Sequence, residues 1–276
     1  MLHRSGEFAG RGGVRLFHQR WLPEAAPRAV VVNLHGLGDH SGLYVALVEY
    51  LVERGFGVHA FDQRGHGQSA GQRAYIASWA DYREDLGTFL GMVRHESPNR
   101  PVFVIGNSLG GLIALEYALI RPDGLDGVVG VSPPLGRLGV PPMLMALGRV
   151  MSRIWPRFSL EAHMDLGNLS RDPQAAAELM SDPLFHRQGT ARLSTEVTAA
   201  IARVQAGAAS FRAPVLLLHG GDDRMVSPDG TRRFFAALGA PDRTFHEYPR
   251  AYHALFADLD AARVLADLYA WMTARM

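Results

Sequence analysis

Residues 104–111 read VIGNSLGG, and this stretch decides the fold. It contains the pattern G-x-S-x-G, centred on Ser108, between the apolar run PVFVIG (101–106) and the helical-looking run GLIALEYALIRP (111–122). Glycine and serine also form ordinary turns. A lone serine at a strand-to-helix turn is nevertheless typical of a nucleophile elbow, in which a sharp turn exposes the serine hydroxyl above a sheet. Because a serine hydroxyl alone is a poor nucleophile, this hypothesis requires a base and an acid elsewhere in the chain.

The composition is that of an ordinary globular protein of 276 residues, with 47% hydrophobic residues and a net charge of +1. The 28 basic and 27 acidic residues are nearly balanced and form no basic run, which argues against a nucleic-acid partner. The chain has no cysteine, which excludes disulfides and cysteine metal sites. No apolar run is long enough for a membrane span, and the first residues lack the apolar core of a secretory signal. We therefore expect a cytoplasmic protein.

Short apolar runs alternate with longer amphipathic stretches along most of the chain. This alternation predicts an α/β fold with a mostly parallel central sheet flanked by helices. The runs 41–55 and 78–96 have apolar residues at three- and four-residue spacing, as helices that cover a sheet do. The predicted strands are 29–34, 57–62, 101–106, 127–132, 214–220 and 244–249.

One region interrupts the alternation. Between residues 133 and 213 no run reads as a buried strand, and helical-looking stretches such as 143–158 follow a proline-rich start. We therefore predict an α/β core built from residues 1–132 and 214–276, with a helical cap, or lid, formed by residues 133–213.

An acid and a base follow the serine in the order that this kind of fold uses. The segment GDDRMVSP (221–228) comes directly after a predicted strand, and we prefer Asp223 as the acid, with Asp222 as the alternative. His253 follows the next predicted strand and is preferred as the base over His246, which lies inside that strand. Catalytic groups of open α/β sheets gather at the carboxyl ends of the strands, so these loops are expected to face Ser108.

The segment HGLGDH (35–40) follows the first predicted buried strand. A loop of the type HG-x-G at that place can point the backbone N–H of Leu37 at a reacting carbonyl. The backbone N–H of Leu109, next to the serine, would be the second donor of an oxyanion hole. Both leucines would act through their backbones, so their side chains are not part of this prediction.

Apolar side chains of the predicted cap are candidates for contact with a lipid chain. The alternative for each of them is ordinary helix packing. The candidate substrate-binding residues are Met143, Leu144, Leu147, Met151, Trp155 and Phe158.

Several histidines and aspartates precede the serine, but their spacing matches no known zinc motif, and no metal or organic cofactor is expected. The residues concerned are His35, Asp39, His40, Asp62 and His66. We expect Asp62, Arg64 and His66 to hold their glycine-rich loop by hydrogen bonds rather than to touch substrate.

Five segments together resemble the α/β-hydrolase fold family, in its branch of monoacylglycerol lipases and bacterial lysophospholipases, which is grouped with serine aminopeptidases. The resemblance extends from about Val14 to the C-terminus. The stretch LSRDPQAAAELMSDPL is the most specific of the five, because it separates this branch from hydrolases that share only the elbow. The segments are HGLGDHSGLY (35–44), FDQRGHGQSAG (61–71), GNSLGG (106–111), LSRDPQAAAELMSDPL (169–184) and HGGDDRMVSP (219–228).

The resemblance implies the triad Ser108, Asp223 and His253 and the oxyanion donors Leu37 and Leu109. It also implies that residues 133–213 cover the site as a lid. The chain departs from the family pattern without losing a catalytic atom: the substituted positions are Asp39 for Glu, Asn107 for His, Leu109 for Met and Ala254 for Glu.

The resulting hypothesis is a serine carboxylic-ester hydrolase that cleaves monoacylglycerols through an acyl-enzyme. The alternatives are a lysophospholipase or a short-chain esterase and, more distantly, an aminopeptidase-like hydrolase or a non-catalytic binding protein on the same fold. The expected partner is a single-chain lipid or ester, with transient contact to lipid surfaces through the cap. The sequence does not set the oligomeric state.

Overall fold

The fold is given by a computed structural model that describes residues 1–136, 142–161 and 166–276. Within these ranges, the structure describes only the backbone of Pro142, Leu144 and Leu166. The strands are β1 (Leu2–Ala9), β2 (Arg15–Leu22), β3 (Ala29–Leu34), β4 (Phe56–Phe61), β5 (Val102–Asn107), β6 (Gly127–Val131), β7 (Ser159–Glu161), β8 (Gln188–Thr190), β9 (Val215–Gly220) and β10 (Arg243–Tyr248).

Eight of these strands form one sheet in the order β1-β2-β4-β3-β5-β6-β9-β10. From β4 to β10 all neighbours are parallel, while β1, β2 and β4 pair antiparallel. The predicted mostly parallel sheet is confirmed, and each of the six predicted strands lies within one residue of an observed strand. Most of these strands are fully buried, which explains why their sequences are almost continuously apolar.

The hairpin β1–β2 was not predicted from the sequence. Its first strand, LHRSGEFA, is exposed along most of its length and carries few apolar residues. Phe8 and Leu16 anchor the hairpin to the core that lies beneath it. An exposed edge hairpin leaves little periodicity for a sequence pattern to reveal.

Helices cover both faces of the sheet. One hydrophobic layer joins the sheet to α1 and α8, and the other joins it to α2, α3, α6 and α7. The helices are α1 (Val45–Val52), α2 (Ala80–Glu96), α3 (Leu109–Ile120), α4 (Pro142–Ile154), α5 (Pro173–Ser181), α6 (Ala191–Gly207), α7 (Asp229–Ala237) and α8 (Ala261–Thr273).

The segment 133–213, called the insertion below, lies between β6 and β9 and contributes α4, α5, α6 and the short pair β7–β8. Helix α6 joins the insertion to the rest of the molecule, because Leu193, Ala200 and Val204 pack in the same hydrophobic layer as α3. The Thr190 hydroxyl accepts from the Leu193 N–H at the start of α6 and donates to the carbonyl of Ala74.

Among the described residues, no helix combines the length and the hydrophobicity that crossing a bilayer requires.

Candidate active site

Ser108 lies at the turn between β5 and α3. Its backbone has φ 50° and ψ −116°, a strained conformation for a residue with a side chain. A Cβ at Gly106 would collide with the Gly110 carbonyl, and one at Gly110 would collide with the Leu34 carbonyl. The two glycines of the pattern are therefore required because strand and helix approach each other closely around the serine.

Asp223 and His253 meet beside the carboxyl ends of β9 and β10. His253 Nδ1 lies 2.7 Å from Asp223 Oδ2, and both side chains are buried. The backbone N–H groups of Met225 and Val226 donate to Asp223 Oδ1 at 2.9 and 2.8 Å. The neighbouring Asp222 is exposed and supports the loop through its backbone N–H, which donates to the Ala251 carbonyl.

Asp223 remains ionised in this environment. Burial alone would raise the pKa of its carboxyl, but hydrogen bonds from His219, His253 and the loop backbone hold it well below its usual value. The carboxylate accepts hydrogen bonds only, so His253 carries its proton on Nδ1 and leaves Nε2 free to accept another. His246 lies within β10 and does not line the cavity that Ser108 and His253 share.

A second strained residue supports His253. Ser132, at the end of β6, is fully buried and has φ 45°. Its hydroxyl donates to the His253 carbonyl at 2.9 Å, and its N–H donates to the Leu218 carbonyl at 2.8 Å. No sequence pattern pointed to this contact, because Ser132 and His253 lie 121 positions apart along the chain.

The HGLG loop follows β3 and lines the same cavity through Gly36 and Leu37. His35 holds this loop: its Nδ1 contacts the Gly36 carbonyl at 2.8 Å, and its Nε2 accepts from the Gln63 N–H at 2.9 Å. Burial lowers the pKa of His35, so the ring is neutral with its proton on Nδ1. Leu109 is the first residue of α3, and the N–H groups of a first helical turn have no acceptor within the helix.

A polar network lies beneath the HGLG loop at two positions where the chain departs from the family pattern. The Tyr44 hydroxyl donates to Asp39 Oδ2 at 3.0 Å, and the Gly36 N–H contacts both of these oxygens at 3.2 Å. The Asn107 side chain also bonds to the Tyr44 hydroxyl. Burial, together with the charge of Asp39, raises the pKa of Tyr44 well above its usual value, so the hydroxyl keeps its proton.

Hydrogen bonds hold the RGHG loop, as expected from the sequence. Asp62 accepts from the N–H and the hydroxyl of Ser41 at 2.8 and 2.6 Å, and from the Gln68 N–H at 2.8 Å. Arg64 makes two hydrogen bonds of 2.7 Å to Asp85, in a buried pair. His66 Nδ1 contacts the Arg64 carbonyl at 3.1 Å. These residues hold the loop and do not line the cavity.

The cavity above Ser108 has a volume of about 1050 Å³ and is lined mainly by apolar side chains. Of the six candidate residues of the insertion, Leu147, Met151 and Phe158 line it. Met143 and Trp155 do not; they are 79% and 59% exposed on the outer surface. The side chain of Leu144 lies outside the described residues. Apolar spacing alone could not separate the inner face of α4 from its outer face, because both are apolar.

The insertion also contacts the HGLG loop directly. The His186 N–H donates to the Gly38 carbonyl at 3.1 Å, and His40 Nε2 lies 3.1 Å from Asp182 Oδ2. Gly38 has φ 83°, and a Cβ there would collide with the His186 carbonyl. Asp182 belongs to the stretch 169–184 that resembles the family, but its contact with His40 was not predicted.

Comparisons with known proteins give the family of the chain. Residues 25–260 match the family described as serine aminopeptidase, S33. The chain is 32% identical to a monoacylglycerol lipase of Mycolicibacterium smegmatis, over 98% of this chain and 96% of that one. It is 30% identical to a human monoglyceride lipase, over 95% of this chain and 88% of that one.

Among solved structures, a monoacylglycerol lipase of Paleococcus ferrophilus superposes over the whole of both chains with a TM-score of 0.85 and 34% sequence identity. The order of the sheet strands, the serine at the turn after β5 and these similarities agree with one another. The chain therefore belongs to the serine aminopeptidase S33 family of α/β-hydrolases, in its monoacylglycerol lipase and lysophospholipase branch.

Proposed function

We propose that the protein is a carboxylic ester hydrolase that cleaves monoacylglycerols to fatty acid and glycerol, with Ser108, Asp223 and His253 as its catalytic triad. One observation carries the proposal: the strained Ser108 and His253, which is paired with the buried Asp223, line one apolar cavity. An apolar cavity of about 1050 Å³ fits a single acyl chain. Full-length relatives named as monoacylglycerol and monoglyceride lipases support the same substrate class.

The chemistry is acyl transfer in two steps. His253 Nε2 takes the Ser108 proton as the hydroxyl oxygen attacks the ester carbonyl, and Asp223 stabilises the imidazolium that forms. The backbone N–H groups of Leu37 and Leu109 stabilise the oxyanion of the tetrahedral intermediate. Glycerol leaves with the proton from His253, and a water molecule activated by His253 then releases the fatty acid. No step requires a metal or an organic cofactor.

We propose further that the insertion acts as a lid that meets lipid surfaces and so serves lipid metabolism. Helix α4 exposes a row of apolar side chains at positions that share one helical face, and three exposed arginines accompany it. The apolar residues are Met143, Leu147, Val150 and Ile154, and the arginines are Arg149, Arg153 and Arg157. Leu147 also lines the cavity, so this surface continues into the site. A cytoplasmic location, favoured by the absence of cysteine, is part of the same proposal.

A lysophospholipid is the second candidate substrate. Arg224 follows the proposed catalytic acid, lines the cavity and is exposed. A cation at this place suits the phosphate of a lysophospholipid head group, which a monoacylglycerol lacks.

Initial hydrolysis rates over one substrate panel test the proposal. The panel contains monoacylglycerols of short to long chain, a lysophospholipid, soluble short-chain esters and an amino-terminal proline amide. We expect the highest kcat/KM on medium or long monoacylglycerols and a loss of at least about 10³-fold in Ser108→Ala. Activity that survives Ser108→Ala would refute the triad. A preference for the lysophospholipid, or for short esters or the amide, would keep the triad and replace the substrate.

A further inference from the structure

We propose that His219 is a positioning residue of the catalytic machinery: its imidazole fixes the carboxylate of Asp223 and sets how strongly that carboxylate stabilises protonated His253. The inference rests on the proposed function, because it assigns His219 a role in a triad formed by Ser108, Asp223 and His253. His219 itself does not line the cavity and is not expected to touch substrate.

His219 is the fifth residue of β9, four positions before the proposed acid, and its side chain is fully buried. Its Nε2 lies 3.2 Å from Asp223 Oδ2 and 3.0 Å from the Val226 carbonyl oxygen. Its Nδ1 lies 2.9 Å from the Thr231 hydroxyl at the start of α7. The ring therefore connects the strand, the acid loop and the helix that follows the loop.

The partners determine where the ring carries its proton. A carboxylate and a carbonyl oxygen only accept hydrogen bonds, so the single N–H of Nε2 is shared between the Val226 carbonyl at 3.0 Å and Asp223 Oδ2 at 3.2 Å. The Thr231 hydroxyl can donate, so Nδ1 accepts from it. In a neutral His219 ring the proton is therefore on Nε2, the opposite tautomer to that of His253.

Each oxygen of the Asp223 carboxylate then has two donors. Oδ1 accepts the N–H groups of Met225 and Val226, and Oδ2 is shared by the imidazoles of His219 and His253. Four donors on a buried carboxylate leave it no second orientation, so Oδ2 stays directed at His253 Nδ1. The N–H of His219 also competes with His253 for the negative charge on Oδ2.

This competition has a definite sign. Without the His219 donor, Asp223 stabilises a positive charge on His253 more strongly. The base must be neutral to act, so the acid limb of the pH profile of kcat/KM moves to higher pH. Loss of the fixed orientation lowers kcat at the plateau as well, whereas KM stays unchanged because His219 is outside the cavity.

Three variants separate this role from simple packing. His219→Leu and His219→Met remove the donor and keep apolar bulk, whereas His219→Gln keeps an N–H at nearly the position of Nε2. For Leu and Met we expect kcat about tenfold lower, an acid limb raised by about one pH unit and an unchanged KM, and for Gln a profile near that of the parent. His59→Leu is the matched control, since His59 is also buried in a central strand, β4, and its profile should not move.

An unmoved acid limb in folded His219→Leu or His219→Met, or an equal shift in His219→Gln, would overturn the inference. Folding is checked by circular dichroism and thermal unfolding. ¹⁵N NMR of the histidine rings of the parent protein is a test that needs no variant: the neutral ring of His219 should carry its proton on Nε2. A neutral ring with its proton on Nδ1 would contradict the assignment.

Failure of the proposed function gives a different result. If Ser108→Ala and Asp223→Asn keep activity, the triad is wrong whatever the His219 variants show. If both lose activity while the acid limb of the Leu and Met variants stays in place, the triad stands and only the role of His219 is refuted.

Discussion

At the scale of single residues, the two neighbouring aspartates of the acid loop give the sharpest contrast. Asp223 contacts His253 at 2.7 Å, whereas Asp222 is exposed and contributes its backbone. Asp223→Asn keeps the shape but supplies an amide that favours the wrong tautomer of His253, so we expect kcat to fall about 10³- to 10⁴-fold. Asp222→Asn should stay within a few-fold of the parent.

Steady-state kinetics of the two variants on one soluble ester check this prediction. Each variant replaces one carboxylate of the parent with an amide. The rates are compared once thermal unfolding shows that the variant has the same melting temperature as the parent. A large loss in Asp222→Asn, with Asp223→Asn still active, would mean that the alternative acid left open by the sequence is the right one.

The sequence predicted which distant residues meet, but not what holds them. Ser108 is placed by a local pattern, and the order of acid and base along the chain led to Asp223 and His253, which are 2.7 Å apart. The supports were not predicted. Ser132 holds His253 from 121 positions away along the chain. The Tyr44 hydroxyl, in the segment between β3 and β4, bonds to Asn107 at the end of β5. Such contacts depend on side-chain directions in the folded state, for which a single sequence has no periodic signal.

At the scale of elements, the apolar side chains of α4 differ in their surroundings. Leu147 and Met151 line the cavity, while Met143 and Ile154 are 79% and 77% exposed. If the outer face meets lipid surfaces, the double variant Met143→Ser, Ile154→Ser should lose about tenfold or more in activity on monoacylglycerol in vesicles or emulsions. Its activity on a soluble short-chain ester should be unchanged, because the catalytic groups are not altered.

Ile120→Ser is the matched control, since Ile120 is a half-exposed apolar residue at the end of α3. Ile120→Ser should leave the ratio of the activity on monoacylglycerol in vesicles to the activity on the soluble ester at the parent value. Vesicle sedimentation measures binding of each variant to the vesicles directly. Equal vesicle activity in the double variant and in the parent would show that the outer face of α4 has no role at lipid surfaces.

The strands and helices that could be predicted from the sequence are mostly those that the fold buries. Five of the six predicted strands are buried along their whole length and show as apolar runs, whereas β10 is only half-buried, and α2 and α3 show in their spacing. The hairpin β1–β2 lies at an exposed edge, and β7 and β8 have three residues each, too short for any period to develop. The contact between His186 and Gly38 joins two segments that the sequence placed in different parts of the fold.

At the scale of the whole molecule, buried neutral histidines make stability depend on pH. Burial lowers the pKa of five histidines of the described residues, and for two of them it falls to about 4. The unfolded chain binds these protons near pH 6.5 and the folded chain does not, so their contribution to the free energy of unfolding is fully present above pH 6.5 and decreases as the pH falls towards 4. The five are His18, His35, His59, His66 and His186.

Below this window, carboxyl groups continue the decline. The pKa values of Asp182, Asp223 and Asp258 are lowered in the folded state, so their contribution to the free energy of unfolding is present above about pH 4 and is lost as they take up protons.

Urea unfolding at half-unit steps from about pH 7.5 to about pH 4 measures the slope of the free energy of unfolding against pH in the histidine window. His59→Phe should reduce it by about 1.4 kcal/mol per pH unit between about pH 6.5 and about pH 4, and an unchanged slope would show that His59 titrates normally in the folded protein.

The order of strands in the sheet has a consequence for how the site comes into being on the ribosome. From β3 onward, each new strand of the main sheet adds beyond the previous one on the same side, β5 beside β3, then β6, β9 and β10, apart from β4, which pairs on the other side. The nascent chain can therefore extend the sheet strand by strand as it emerges. Ser108 is laid down with β5, but Asp223 and His253 follow only after β9 and β10, so the proposed nucleophile enters the sheet well before the groups proposed to activate it.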